Sequence, residues 1–299
     1  MNSDKSNFLH PAAQSALTRY RSYYQLPTDC VQEQTFLNVW GTDVFVQCYC
    51  PDTPCGTVLL LHGYFDHAGA LAPLISFLTE HKYQVYTLDF PGHGLSEGER
   101  YSIPDFSYYE ESVKQTINWM MERELKPFHI IGHSTGAGIA AKYALTYKDP
   151  MLKRVELVAP LLRSSHWHLS RVAHALTSSM INQVPRKFRP NSGDTDYLKR
   201  QQQDPLQDKF IPLEWLQALF NWEKEVRGLQ TASARVSIIQ GVKDRTVDWK
   251  HNINFYKNLF PNSHVFLIDE GQHQLLNEKA SIRQMVYELI IQRLNNEGT

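Results

Sequence analysis

The chain has 299 residues, 42% of them hydrophobic, and carries 30 Lys and Arg against 31 Asp and Glu, for a net charge of −1. This is apolar content enough for one large core with an insertion, and so even a charge balance excludes any electrostatic reason to expect nucleic acid as a partner. The polar stretch 1–21 lacks the apolar centre of a secretion signal, and no run of about eighteen apolar residues occurs, which predicts a cytoplasmic protein without a membrane-spanning helix.

In chain order, two β-rich runs at 35–40 and 44–50 flank Gly41, Thr42 and Asp43 and predict a hairpin. Three cysteines, Cys48, Cys50 and Cys55, cluster here while Cys30 stands apart. No second Cys/His pair at zinc spacing follows, so reduced structural thiols are expected and no metal. The run 57–61 is too continuously apolar to have a wet face, and 84–89, 128–132, 155–159, 236–240 and 264–268 look alike. Such runs suit a parallel sheet covered on both sides. Helical stripes lie between them, among them Leu71, Leu74, Ile75 and Leu78, then Val113, Ile117 and Met120, and last Ile282, Met285, Val286, Leu289 and Ile290. Strands alternating with helices imply right-handed crossovers and a doubly wound sheet.

The rhythm breaks once. Residues 162–230 show no buried strand but hold apolar-aromatic helical pieces, Trp167, Leu169, Val172 and Leu176, then Trp215, Leu216, Leu219, Phe220 and Trp222, around a polar stretch near 186–208. An interruption of that length predicts a folded helical cap after the sixth strand, with 1–161 and 231–299 forming the core.

The run Ile130-Ile131-Gly132-His133-Ser134-Thr135-Gly136-Ala137-Gly138 carries the chemistry. Strand, forced turn and helix surround one serine, the setting of a nucleophile elbow, where small residues at 132 and 136 avoid the neighbouring backbone. The serine hydroxyl is then held at a helix N-terminus whose N–H groups can face an oxyanion. Serine is a poor nucleophile at its free pKa, so a base and an orienting carboxylate are needed, in the chain order serine, acid, histidine. Asp244 leaves the 236–240 strand directly, with Asp248 and Asp269 as rivals, and His273 follows the last strand, with His264 and His93 as rivals. Ser134, Asp244 and His273 would all lie beyond strand carboxyl ends, where sites in open α/β sheets collect. Two N–H donors are needed for the oxyanion. Thr135 supplies one as the residue after the serine, and Tyr64, in the loop His62-Gly63-Tyr64-Phe65-Asp66-His67, is assigned the other, with Phe65 as the fallback. His62 and His133 read as packing or orienting residues, and the 89–96 loop as a structural turn.

Together, His62-Gly63 with Asp66-His67, Pro91-Gly92-His93-Gly94 with Ser96 and Gly98-Glu99-Arg100, the 132–136 elbow, Asp244 and His273 resemble the α/β-hydrolase superfamily, and within it the monoacylglycerol lipase and bacterial lysophospholipase group. The resemblance spans roughly 36–294 and is weakest over the cap. It implies an α/β-hydrolase fold with a mostly parallel eight-stranded sheet, helices on both faces and a cap after strand 6. It also implies a serine carboxylic-ester hydrolase acting on single-chain lipids, without metal or cofactor. Carried over, Ser134 is the nucleophile, His273 the base, Asp244 its partner, and Tyr64 and Thr135 the oxyanion donors. Thr135 departs from the pattern, since many relatives have Met there. Phe65, Trp167, Phe220 and Trp222 are expected to give the acyl chain a dry surface.

Other readings stay open on sequence alone. The same three residues serve a broad esterase, a thioesterase or a peptidase, and a non-catalytic lipid-binding or receptor module could keep the pocket without the chemistry. The expected partner is a small lipid ester, with no nucleic acid and no obligate protein partner. The local excess of base over 163–209 could hold the cap at anionic lipid headgroups on the inner membrane surface, favour a lysophospholipid phosphate, or simply be a solvated helix face.

Overall fold

The computed structural model describes residues 11–123 and 126–296. After helix α1 (Pro11–Tyr24), strands β1 (Val31–Val39) and β2 (Thr42–Tyr49) pair antiparallel. The turn between them is Trp40-Gly41, with φ of 50° and 87°, so both central residues take the left-handed conformation that matches the twist of a two-residue hairpin. Thr42 and Asp43, expected in the turn, are already in the ladder opposite Val39 and Asn38. The first strand also starts four residues before the apolar run at 35, because its hydrogen-bond partner is long enough to carry it.

The chain then alternates through β3 (Gly56–Leu61), α2 (Ala72–Glu80), β4 (Tyr83–Leu88), α3 (Ser107–Arg123), β5 (Phe128–His133), α4 (Thr135–Tyr147) and β6 (Leu152–Val158). The segment after β6 contains α5 (Trp167–Thr177), a short strand β7 (Gln183–Pro185), α6 (Thr195–Gln203), β8 (Phe210–Pro212) and α7 (Leu213–Val226). The alternation resumes with β9 (Val236–Gly241), α8 (Trp249–Leu259), β10 (His264–Ile268) and α9 (Ala280–Asn295).

Eight strands form one sheet in the order β1-β2-β4-β3-β5-β6-β9-β10, parallel from β4 to β10 and antiparallel at β1-β2 and β2-β4. This is the α/β-hydrolase architecture. Alternate strand residues feed two cores. Leu59, Leu61, Ile130, Leu157 and Ile238 pack with α3, α4 and α8 on one face, while Val58, Leu60, Ile131, Val158 and Ile239 pack with α2 and α9 on the other. On α9, Tyr287 takes the inward position expected of Met285, which is exposed.

The 162–230 segment holds more than the two helical pieces legible in sequence. Its polar middle forms α6, capped by the Asp194 carboxylate on the N–H groups of Asp196 and Tyr197, and β7 pairs with β8 in a two-stranded ribbon. Its apolar stripe on α5 faces outward: Leu169, Val172 and Leu176 are 68%, 57% and 71% exposed. Only Trp167 and His174 of that helix are buried, against Phe220 of α7. Among the described residues no helix is long and apolar enough to cross a membrane.

Candidate active site

The β5–α4 turn brings the backbone of α4 against the loop after β3. A Cβ on Gly136 would stand 2.5 Å from the His62 carbonyl oxygen and 2.6 Å from that of Leu61, and one on Gly132 would stand 2.5 Å from the Gly136 carbonyl oxygen. Only glycine permits that approach. Ser134, at its apex, is held at φ 50° and ψ −111°, and its N–H is tied to the Val158 carbonyl at 2.9 Å. Its side chain therefore leaves the turn toward the carboxyl edge of the sheet.

Two loops meet it there. Asp244 follows β9 and His273 follows β10, and their strands run parallel in register, so the loops leave on the same side. His273 Nε2 is 3.1 Å from Ser134 Oγ, and His273 Nδ1 is 2.8 Å from Asp244 Oδ2. With Nδ1–H donating to the carboxylate, Nε2 carries the lone pair that accepts from the serine hydroxyl. Asp244 also accepts from Gln240 Nε2 at 3.0 Å and from the N–H groups of Thr246 and Val247 at 2.7 and 3.2 Å. Burial alone would raise its carboxyl, but the facing imidazole and these donors hold it below the usual carboxylate value.

The rival residues have other work. Asp248 caps α8 by accepting from the His251 N–H, Asp269 and His264 are exposed, and His93 is buried with Nδ1 on the Pro91 carbonyl at 3.0 Å. Burial pushes the His93 imidazole down to about 3, which keeps it neutral. His62 donates from Nδ1 to Gly63 O and accepts the Phe90 N–H on Nε2, at 2.8 and 2.9 Å, fastening the loops after β3 and β4 to each other. The Asp89 carboxylate receives the Ala68 and Leu95 N–H groups at 2.7 and 2.8 Å, so the 89–96 loop is a structural brace.

Between Gly63 and Asp66 the chain makes a tight turn, closed by Asp66 N–H to Gly63 O at 3.1 Å. Phe65 holds φ 62° at its third position, the geometry of a type II turn, which leaves the N–H of its second residue, Tyr64, outside the turn's own hydrogen bond. The Thr135 N–H opens α4 and has no intrahelical acceptor. Tyr64, Thr135 and Ser134 all line one cavity of about 1330 Å³, with Asp244 and His273.

The sequence reads His133 as a packing or orienting residue but does not show what it orients. His133 Nε2 donates to the His273 carbonyl at 3.0 Å, His133 Nδ1 lies 3.7 Å from Asp66 Oδ2, and Gln274 Nε2 donates to the same Asp66 oxygen at 2.9 Å. This buried set fixes the His273 loop from beneath. Its only sequence signal is two buried-type polar residues, Asp66 and His133, inside the two loop motifs.

Of the four aromatic residues expected to receive an acyl chain, Phe65 borders the cavity. Trp167, Phe220 and Trp222 do not. Trp167 meets Phe220 edge-on at 5.0 Å, and Trp222 stacks on Phe106 at 5.1 Å while its Nε1–H donates to Glu110 Oε1 at 3.0 Å. They glue α5 to α7 and α7 to the core, because α7 turns that face toward α3 and α4. The α7 side toward the cavity carries Trp215 and Leu216, and Leu161, Val184, Ile211 and Val247 complete an apolar wall.

Residues 52–280 match the family model described as serine aminopeptidase, S33. Among characterised relatives, the chain is 33% identical to a monoacylglycerol lipase of Mycolicibacterium smegmatis over 117 residues, 38% of this chain and 42% of that one. It is 23% identical to the phospholipase YtpA of Bacillus subtilis over 76% of this chain and 91% of the relative. The chain thus spans less than half the length of the first relative. In fold it is similar to a soluble variant of the monoglyceride lipase of Saccharomyces cerevisiae, with a TM-score of 0.77 and 18% identity over 90% of this chain and 96% of that one.

Proposed function

The chain belongs to the serine aminopeptidase S33 family of α/β-hydrolases, and from that premise we propose that it is a serine carboxylic-ester hydrolase. Its substrate is a single-chain lipid, a monoacylglycerol or lysophospholipid, cleaved through an acyl-enzyme on Ser134. The carrying observation is the chain of contacts from Ser134 Oγ to His273 to Asp244, at 3.1 and 2.8 Å, set in the floor of an apolar-walled cavity.

In this reading His273 Nε2 takes the Ser134 proton as Oγ attacks the ester carbonyl carbon, and Asp244 stabilises the imidazolium. The N–H groups of Tyr64 and Thr135 receive the oxyanion. The carbonyl collapses, the ester C–O bond breaks, and the alcohol leaves with the proton from His273. Water then loses a proton to the same nitrogen, attacks the acyl carbon, and releases the fatty acid and the serine. His133 and Asp66 act through the His273 backbone as positioning residues.

The family description raises aminopeptidase activity as a second reading. An aminopeptidase site needs an anion for the substrate ammonium, yet Asp244 is the one acidic residue among the described residues lining the cavity, and His273 already engages it. That favours the ester. Residues 162–230 serve in this account as a cap over the apolar wall, and the outward Leu169, Val172 and Leu176 of α5 supply a surface for peripheral contact with lipid. A panel of monoacylglycerols, lysophosphatidylcholine, p-nitrophenyl esters of graded length and aminoacyl p-nitroanilides tests the proposal. Turnover confined to lipid esters is the expected result; turnover confined to the anilides overturns it.

A further inference from the structure

Most arginines of this chain sit in water or against carboxylates. Arg186, just after β7, does neither. It is half-buried in the cavity wall, and no carboxylate among the described residues lies within ion-pairing distance. Its guanidinium carbon lies 3.8 Å from the centre of the Phe65 ring and 4.2 Å from that of Phe188, and one nitrogen, Nη1, donates to Gln207 Oε1 at 2.6 Å. Two rings and one neutral acceptor hold the planar group in place, and none of the three is an anion. Burial pushes the guanidinium below its ordinary value, and the Asp66 carboxylate, beyond ion-pairing distance, offsets that only in part.

The surroundings have the same sign. The cavity is lined by Arg186, Lys187, Arg189, Lys243 and Arg245, against Asp244 alone. Lys243 is paired with Glu270 at 2.5 Å, and Asp244 is committed to His273. Phe65 follows Tyr64 in the loop after β3, so the guanidinium stacked on it is held by the same loop that carries the proposed oxyanion donor, in the cavity that Ser134 lines.

Resting on the ester-hydrolase reading above, we propose that Arg186 is a specificity-determining residue. Its guanidinium binds an anionic oxyacid group, phosphate or carboxylate, carried on the alcohol side of the ester. The cavity would then select anionic single-chain esters over neutral ones of equal chain length. A fork of N–H donors meeting an oxyanion in a half-buried site is the arrangement in which arginine outperforms lysine.

The test measures kcat/KM of the full chain on octanoyl esters below their aggregation limit: lysophosphatidic acid, lysophosphatidylglycerol, a monoacylglycerol hemisuccinate and neutral monoacylglycerol. In the wild type the anionic esters are expected to exceed the neutral one, and Arg186→Met to cut that ratio by roughly tenfold or more, with Arg186→Lys between them. The effect should fall mainly on KM. The hemisuccinate arm separates general anion recognition from phosphate recognition. Equal ratios in wild type and Arg186→Met overturn the proposal, and so does a rise in wild-type monoacylglycerol turnover on adding inorganic phosphate, which would assign the guanidinium to a free anion. Fluorophosphonate labelling of the wild type, blind to headgroup, separates this failure from failure of the hydrolase reading: a chain that labels but shows no ratio loses only Arg186.

Discussion

At the scale of single residues, the site rests on a backbone conformation that L-residues avoid. Ser134 holds φ 50° and ψ −111°, a strain of about 1–3 kcal/mol for a residue with a Cβ. Removing the hydroxyl and removing the Cβ should therefore have opposite effects on stability. Ser134→Ala keeps the strain and should melt like the wild type, while Ser134→Gly should be more stable than Ser134→Ala by about 1 kcal/mol even after the entropy of glycine is counted. Both should lose ester turnover by about a thousandfold or more. Thermal melts and initial rates check this; a glycine variant less stable than the alanine one would mean the turn is not strained. The three side chains proposed to react are legible in sequence because their order and their places after strand ends follow from the topology, which brings them together. The Asp66–His133 support is not, since it depends on two loops meeting face to face. Trp167, Phe220 and Trp222 show the same limit: aromatic content marks them within 162–230, but only the rotation of α7 decides which ring faces the cavity.

At the scale of elements, the β5–α4 turn works by proximity. Gly136→Ala would drive a Cβ into the carbonyls of residues 61 and 62, and backbone cannot yield as a side chain does. A loss of roughly 2–4 kcal/mol is expected, with turnover falling further than stability because the Thr135 N–H moves with the helix. A denaturant titration and a rate measurement on the soluble variant suffice; wild-type stability would show that the approach is looser than described. Sequence periodicity carries the long elements well, because 57–61 or 236–240 bury both faces and Ile282, Val286 and Ile290 of α9 turn inward. It fails on short ones. The strands β7 and β8 hold three residues each, too few for any period, and α6 is announced by its Asp194 cap and not by an apolar face. The hairpin turn shifts because Trp40, a residue without turn preference, takes a left-handed conformation.

At the scale of the whole molecule, pH acts through groups the sheet buries. Glu156, in the middle of β6, is fully buried with Oε1 accepting from Ser237 Oγ at 3.2 Å and Oε2 without a partner. Burial pushes its carboxyl up to about 8 from an unfolded value of 4.5. A raised carboxyl is a proton held by the folded state, so its contribution is complete below pH 4.5 and is lost as pH rises toward 8. Glu156→Gln removes the dependence. The variant should gain on the wild type by about 1–3 kcal/mol between pH 5 and pH 8, read as diverging melting curves; a constant offset would contradict the burial. Asp66, Asp204 and Asp244 run the other way. Burial would raise each, but His133, His67 and His273 respectively hold them low, so their contribution is present above about pH 4 and is lost as pH falls through the lowered values. Asp204 meets His67 at 3.0 Å and Tyr24 at 2.6 Å, so acid should loosen the 162–230 segment from the core.

All of this converges on one hydroxyl, that of Ser134. Treating the full chain with a fluorophosphonate and locating the adduct by peptide mass spectrometry tests that most directly. A single adduct on Ser134, absent from Ser134→Ala and slowed in His273→Ala, is the predicted result. An adduct on another residue, or a chain that never reacts, would contradict the account.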